Sequence, residues 1–512
     1  MRVTVQESAF PREVELKLRL PPDSRATLEA SSLFAAVPAK EFHQVTTYFD
    51  TRNGALDRAG LTLRVRRIGA TRVQTVKSRA DGRGVATGRN EWEWRIGQDT
   101  PDISRLAKTP ALSAASKTIN GKLTRLFVTD IHRTVRLIHL DGDTVVEVAI
   151  DRGTIKAGRA HESVNELELE LKAGCVAPIY RLAANLQTRV PLWISPESKA
   201  ARGWHLLTGH MQEARLARLP KLRRSVLATP GFQEIIAGTL GHLMTNIGPT
   251  LGGAAEGVHE MRIALRATRA ALRLFEPHLV ASTTARFDAR LRRFSRIFGT
   301  ARDWDVFCLK TLPAAAAELA TGQLRGLQAA AEVQRQVSHK AVVDVIRGHA
   351  FTALVLGLAC WVESGAARPD LLGDNRMGKR LLPLAPSLLN RVELAAKKRA
   401  QHVGRLSAEE RHSLRKSLKR LCFDVESLSG LFRHHAVKTY RSRCEQALEI
   451  LGRMNDAVVT RRLTRHLLTE SRSDLTISAA ALVRWSKRRD RNARQGLKGA
   501  LKAFLAARAF WE

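Results

Sequence analysis

The sequence predicts an α+β multidomain chain, with a β-rich first part and an all-helical, duplicated second part. Three observations carry this. Up to about residue 172, charged and apolar residues alternate with a period of two, the pattern of antiparallel strands. Beyond about residue 228, Ala, Leu and Arg recur at three- and four-residue spacing, as in HEMRIALRATRAALRLF, which reads as amphipathic helix. Within that second part, His259, Arg262 and Arg266 lie 153 residues before His412, Arg415 and Lys419. Phe298, Gly299, Asp303 and Val306 lie the same distance before Leu451, Gly452, Asp456 and Val459. One offset shared by two separated clusters implies two copies of a helical bundle related by a pseudo-twofold. The expected boundaries are residues 1–208 for the first domain, 209–227 for a basic linker containing RLARLPKLRRS, and 228–512 for the helical domain. Its copies fall at about 228–370 and 380–512. A chain of 512 residues is long for one domain, and 44% hydrophobic residues suffice for real cores.

The strands follow in order. EVELKLRL places Glu13, Glu15, Lys17 and Arg19 on one face and Val14, Leu16, Leu18 and Leu20 on the other. LTLRVRR sets Arg64 and Arg66 opposite Leu63 and Val65. NEWEW sets Glu91 and Glu93 opposite Trp92 and Trp94. VVEVAID sets Glu147 and Asp151 opposite Val146, Val148 and Ile150. ELELELK sets Glu166, Glu168 and Glu170 opposite Leu167, Leu169 and Leu171. DTRNG, DGRG and LDGD between the runs read as turns.

A charged strand face normally meets water. Here the charged faces hold paired acids at i, i+2 together with Arg and Lys, and like charges so placed repel. A closed barrel resolves the conflict: its apolar side packs outward on helices while its charged side lines a tunnel. In such a tunnel Glu13, Glu15, Glu168 and Glu170 are candidates to hold a divalent cation. Lys17, Arg64, Arg66, Lys77 and Arg133 are candidates to hold phosphate oxygens. Mg²⁺ or Mn²⁺ suits this hard-oxygen chemistry.

Glu13-Val14-Glu15-Leu16-Lys17 matches the ExExK signature of the CYTH, or triphosphate tunnel metalloenzyme, family, and residues 8–208 resemble it throughout. The run continues through YFDT at Tyr48–Thr51, LRVR at Leu63–Arg66, Lys77, Arg89, Glu91, Glu93, Arg133, Asp151, the ELELEL segment and Ser198-Lys199. The resemblance implies an eight-stranded antiparallel tunnel with flanking helices. It also implies action on a triphosphate: inorganic tripolyphosphate, thiamine triphosphate, a nucleoside triphosphate or an RNA 5′ end. By the same resemblance Glu13, Glu15, Glu168 and Glu170 hold metal and position water, with Lys17 beside them. Lys17, Arg64, Arg66, Lys77, Arg133 and Lys199 clamp phosphate. Glu91, Glu93, Glu147, Asp151 and Glu166 are open between such a role and structural ion pairing.

Net charge is +35, divided as 32 − 23 = +9 over residues 1–208 and 52 − 26 = +26 over residues 209–512. That surplus implies a polyanionic partner. His259, Arg262, Arg266, Arg269 and Arg273 share one helical stripe, beside an inward stripe of Met261, Leu265, Thr268, Leu272 and Phe275. In the second copy His412, Arg415 and Lys419 lie beside Leu414, Leu418, Leu421, Val425 and Leu428. A charge run is usually a solvated face. Here like charges at i, i+4 cost a helix ~0.2–0.5 kcal/mol per pair, with few acids nearby to offset them. GVHEMRIALRATRAAL and RHSLRKSLKRLCF, with FGTARDWDV and LGRMNDAVV, resemble the CHAD domain, a conserved-histidine helical domain, over about residues 225–512. The resemblance implies binding of inorganic polyphosphate by His259, Arg262, Arg266, Arg269, His412, Arg415 and Lys419. Ala267 and Cys422 stand where that pattern commonly has Arg, implying a second copy that binds phosphate less strongly. Aromatics are 5% of the chain and nearly absent from the basic helices, so stacking platforms for nucleic acid are not evident.

Five scattered cysteines without CxxC spacing read as reduced thiols and fit a cytoplasmic protein, with polyphosphate granules as an associated location. MRVTVQESAFPREVELK has no apolar core of a signal peptide, and FTALVLGLACWV at 351–362 is too short to span a bilayer, so no membrane partner is expected. The leading function is a metal-dependent triphosphatase with a polyphosphate-binding module. A non-catalytic polyphosphate-binding protein is the alternative, and a nucleotide triphosphatase or adenylate cyclase ranks below both.

Overall fold

The computed structural model describes residues 12–79, 84–109, 112–113, 119, 123–210, 212–217, 219–319, 324–365, 375–401, 406–470 and 475–512. The DGRG turn, apart from Gly84, and the segment expected to lack an apolar leader, up to residue 11, lie outside these residues. The chain divides into two compact units: 1–214 with 244–254 and 346–363, and 215–243 with 255–345 and 364–512.

The first unit is a closed barrel. Its strands are β1 (Arg12–Arg19), β2 (Lys40–Thr51), β3 (Leu61–Ile68), β4 (Thr71–Ser78), β5 (Thr87–Ile96), β6 (Leu123–Leu140), β7 (Thr144–Ala157) and β8 (Ala160–Ala173). They pair antiparallel in the order β5-β4-β3-β2-β6-β7-β8-β1, and β1 returns to β5. The short β9 (Trp193–Ile194) adds to β1. Closure explains the alternation read from the sequence, because both faces of the strands are shielded from water. Outward, Leu16, Leu18, Leu63, Val76, Val148, Leu167 and Leu169 are at most 1% exposed; inward, Glu15 is 3%, Asp151 1% and Glu166 2% exposed. The turn after β2 places Gly54 at φ 68, and Gly142 in the LDGD turn also has φ 68, backbone that glycine adopts without penalty.

One end of the tunnel is plugged. Helices α1 (Ala177–Gln187) and α2 (Lys199–Thr208) follow β8. Along the inner face, Val164 precedes Glu166 and Ile131 precedes Arg133 by two residues, and Ile155 follows Asp151 by four, past Gly153, so charge gives way to hydrocarbon. These residues join Tyr48 and Phe127, and Ala200, Trp204 and Leu206 of α2 pack against them. Ser198 caps α2, accepting a hydrogen bond from the Ala201 amide at 3.1 Å. Helix His349–Glu363, which contains the apolar run 351–362, packs on α1 within this unit. There the Ile194 amide donates to Thr352 Oγ1 at 3.4 Å and the Gln187 side chain donates to the His349 carbonyl at 3.2 Å.

The second unit is helical and visibly duplicated. Its first copy holds α3 (Ala228–Thr245), α4 (Ala255–Leu274) and α5 (Ala281–Val306). Its second copy holds α6 (Leu381–Ala400), α7 (Ala408–Ser427) and α8 (His434–Glu470). All three starts differ by 153 residues. The 3₁₀ turns at Glu276–His278 and Ser429–Leu431 differ by the same amount. The inward stripes form the core, with Met261, Leu265, Thr268, Leu272, Phe275, Leu414, Leu418, Leu421, Val425 and Leu428 all fully buried. Among the described residues no single helix is long and apolar enough to cross a membrane.

Gly203 lets α2 seat in the barrel, since a Cβ there would lie 2.2 Å from the Phe127 ring. Gly203→Ala should therefore destabilise the first unit by ~1–3 kcal/mol through overpacking, read as a lowered melting temperature, with the exposed-site control Gly97→Ala, where a Cβ meets nothing within 4 Å, unchanged.

Candidate active site and anion-binding face

The strand registers set the tunnel chemistry. Across β1, β8 and β7, Glu15 pairs with Glu170 and Glu170 with Glu147, a row of three acids. One step inward, Lys17 faces Glu168, which faces Ala149. One step further, Arg19 faces Glu166, which faces Asp151, which faces Arg133 on β6. Like charges directly opposite one another destabilise a sheet unless cations intervene.

They do intervene, in two groups. In the inner group Arg133 grips Asp151 with both nitrogens at 2.6 Å and reaches Glu168 at 2.6 Å. Lys199, at the start of α2, contacts Asp151 at 2.8 Å, Glu166 at 2.6 Å and Glu168 at 2.9 Å. Lys17 meets Glu168 at 3.2 Å and pairs with Glu15. Arg202, one turn after Lys199, pairs with Glu166 and holds Glu162 at 2.7 Å. Burial would raise the Glu168 carboxyl, but Lys17, Lys199 and Arg133 hold it well below the usual range. Asp151 is lowered against burial by Arg133 and Lys199. Against the same burial, Asp151, Glu166 and Glu168 keep Lys199 protonated, with its pKa raised.

In the outer group Lys77 contacts Glu13 at 2.9 Å and Glu91 at 3.0 Å, and Arg89 contacts Glu13 at 2.8 Å and also pairs with Glu15. Glu170 is more open and pairs with Lys172 at 2.7 Å, which reaches Glu147 at 3.5 Å. Burial raises Glu170. Glu13 is held low by Lys77 and Arg89 despite burial.

Between the groups lies a cation surplus. Arg64 contacts Glu91 at 3.4 Å and hydrogen-bonds Tyr48, and Arg66 pairs with no carboxylate among the described residues. The Nε atoms of both are buried without a hydrogen-bond partner. Burial, then Arg64 and Arg133, push Arg66 down to about 10; burial, then Arg64 and Arg89, push Lys77 down to about 8.

The carboxylate oxygens of Asp151, Glu166 and Glu168 lie within 4.8 Å of one another because all three gather on the Lys199 ammonium, which fills the centre of the trio. Of the acids expected to hold metal, the structure brings Glu168 into that trio. It sets Glu13 and Glu170 in the outer group, with Glu15 linking the two through Lys17. Asp151 and Glu166, left open by the sequence, are the most deeply placed acids. Glu93 is exposed and accepts from Thr75 at 3.0 Å. Arg89 and Arg202 were not singled out as site residues. Arg202 carried a usable signal, lying three residues after Lys199 and so on the same face of one helix.

In the helical unit the two basic stripes face one another and are half-buried, apart from the exposed His412. Burial, then Arg262 and Arg415, lower Arg266 to about 10. Burial, then Arg415, Arg266 and Arg262, lower Lys419 to about 7. Burial and Arg302 lower His259 to about 4, and burial lowers His412, whose Nδ1 meets Asn455 Oδ1 at 3.0 Å. His259 Nδ1 and Arg415 Nε are buried without a hydrogen-bond partner. The repeat-related acids Asp303 and Asp456 flank this group. A cavity of about 790 Å³ opens from Arg262, Arg266 and His412, and Arg269 also lines it.

Comparison with known proteins fits both halves. Residues 11–204 match the CYTH domain and residues 234–465 the CHAD domain. An inorganic triphosphatase of Haemophilus influenzae is 26% identical over 201 residues, 39% of this chain, and the match spans only 56% of that relative's length. The CHAD domain structure from the plant Ricinus communis covers 58% of this chain and 98% of its own, at 23% identity and a TM-score of 0.52, which supports the helical fold. A putative adenylyl cyclase from Hippeastrum, described as having a dominant triphosphatase activity, covers 38% of this chain and 98% of its own. Its identity is 21% and its TM-score 0.29, too loose a superposition to argue from.

Lys419 gives the helical face a pH signature. Between its folded pKa of about 7 and its usual 10.5, the unfolded chain carries a proton that the folded chain lacks. The penalty from this lysine is therefore full below pH 7 and fades as pH rises toward 10.5. Lys419→Met should raise the melting temperature most at pH 6, with a gain that shrinks steadily in melts at pH 8 and pH 10.

Proposed function

We propose that this chain, a CYTH domain joined to a CHAD domain, is a metal-dependent triphosphatase. It hydrolyses the terminal phosphoanhydride of inorganic tripolyphosphate or a related triphosphate, and its helical unit binds inorganic polyphosphate. The observation that carries the reading is the cation surplus in the tunnel. Arg66 is buried beside Arg64 and Arg133, of which Arg133 is already paired with Asp151 and Glu168, and the Nε atoms of Arg64 and Arg66 have no partner. A triphosphate, with its dense oxygen charge, is the guest that relieves this.

The residues present fit a divalent cation by donor chemistry: Glu13, Glu15, Glu168 and Glu170 present carboxylate oxygens along one tunnel, with Glu170 the most open of them, whereas Asp151 and Glu166 are committed to Lys199, Arg133 and Arg202. When bound, Mg²⁺ or Mn²⁺ would neutralise phosphate charge and acidify water. Arg64, Arg66 and Lys77 clamp the phosphate chain. Lys199 and Arg133 hold Asp151 and Glu168 ionised and aimed inward, and Glu15 and Glu168 orient the attacking water. The plug formed by α2 keeps bulk water out at the closed end, where phosphoryl transfer depends on positioning rather than covalent chemistry. The basic face of the helical unit would hold the protein at cytoplasmic polyphosphate granules.

Full-length protein given tripolyphosphate, ATP, thiamine triphosphate and long-chain polyphosphate with Mg²⁺ or Mn²⁺ should release phosphate fastest from tripolyphosphate. Glu168→Gln or Glu15→Gln, folded by circular dichroism, should lose about 10²-fold or more of that rate. Full activity in both folded variants removes these acids from the mechanism. No turnover of any substrate, with polyphosphate still bound, makes the tunnel a phosphate receptor instead.

A further inference from the structure

We propose that the helical unit binds its phosphate chain on one flank only, in a basic cleft for which the duplicated counterpart has reversed its charge. The proposal rests on the polyphosphate reading above and narrows it to one groove and one chain per protein.

The ground is a comparison of the two copies position by position. The cleft runs outward from Arg262, Arg266 and His412. Arg269, Arg273, Arg292 and Arg296 of the first copy line one side, and among the described residues no Asp or Glu lines it. Behind it, Asp288 accepts from Arg269 at 3.0 Å, Arg273 at 3.0 Å and Arg292 at 2.9 Å. One acid thus splays three guanidiniums and leaves their charge in excess. At the positions 153 residues on stand Cys422, Glu426, Glu445 and Glu449, and the central Asp288 becomes Arg441. Arg441 pairs with Glu426 and meets Glu445 at 2.8 Å. The geometry is kept and the sign is inverted.

The other wall of the cleft has diverged the same way. Arg391 and Arg399 on α6 correspond to Gly238 and Asn246, and Lys416 and Arg420 on α7 correspond to Ile263 and Ala267. Ala267 and Cys422, the two departures visible in the sequence, therefore fall on the same flank. They do not weaken one copy of the motif; they remove cations from one side of the pair. Only the centre, with Arg262 against Arg415 and Arg266 against Lys419, stays symmetric. A phosphate chain that leaves the centre meets guanidinium in one direction and carboxylate in the other. The ligand class follows from what the cleft offers, a line of cations without an aromatic ring among its lining residues.

The test is titration calorimetry of the full chain with polyphosphate of defined length at several salt concentrations. One chain should bind per protein. Arg296→Glu with Lys416→Glu, both lining the cleft at exposed positions, should keep the wild-type melting temperature. That variant should lose about tenfold or more in affinity and show a salt dependence shallower by about two counterions. Glu426→Arg, Glu445→Arg and Glu449→Arg together with Arg441→Asp should give the chain a cationic path on the opposite flank, steepening the salt dependence and raising affinity for long chains by about tenfold. Unchanged affinity in the first variant, or two equivalent sites in the wild type, overturns the one-sided cleft while leaving polyphosphate binding intact. Failure of the wild type to bind polyphosphate, or tighter binding of RNA of equal charge, overturns the ligand reading itself.

Discussion

The structure turns on one constraint: a sheet closed on itself must shield both of its faces. Hydrocarbon settles the outer face by packing. The inner face is too narrow for a second apolar core along most of its length and too enclosed for bulk water, so it is filled with ions that must cancel one another. Every buried acid in the inner group is held by at least one of Lys17, Arg133, Lys199 and Arg202. Removing one partner would leave a buried charge uncompensated, a defect that costs several kcal/mol. The lattice of charge is therefore structural and chemical at once. The cations that keep the acids ionised belong to the set that would meet a phosphorylated guest.

That constraint explains what could be read from the chain beforehand. Alternation in EVELKLRL, LTLRVRR and ELELELK was legible because a period of two leaves no doubt about faces, and the excess of paired acids pointed to closure. The duplication was legible because its offset is constant, and the helix starts repeat it. Depth was not legible. Glu166, Glu168 and Glu170 look equivalent in sequence, yet their side chains are 2%, 13% and 26% exposed. The gradient arises because α2 plugs one end, and no local pattern tells which end that is. For the same reason Asp151 and Glu166 emerged as the deepest acids, and Arg202 as their partner, only once α2 was seen to enter the barrel.

The helical unit shows how duplication separates architecture from chemistry. The cores of the two copies superpose in character, with Leu265 and Leu272 answered by Leu418 and Val425, because packing tolerates little change in volume. The outward positions carry no such constraint and have drifted until Asp288 and Arg441 occupy equivalent places with opposite charge. A symmetric fold thereby presents an asymmetric potential, and a fourfold-charged stripe in one copy has no obligation to be repeated in the other.

Helix His349–Glu363 completes the first unit late in synthesis. It lies far beyond β8 in the sequence, yet it covers α1 and bonds to β9, the strand that extends β1. A ribosome releases the barrel strands long before it releases this helix. Until residue 363 emerges, the nascent barrel carries an uncovered apolar face, and its assembly finishes only while the first helical copy is itself being made. The strands can close on one another earlier, but the cover over α1 is completed only once that helix has been made.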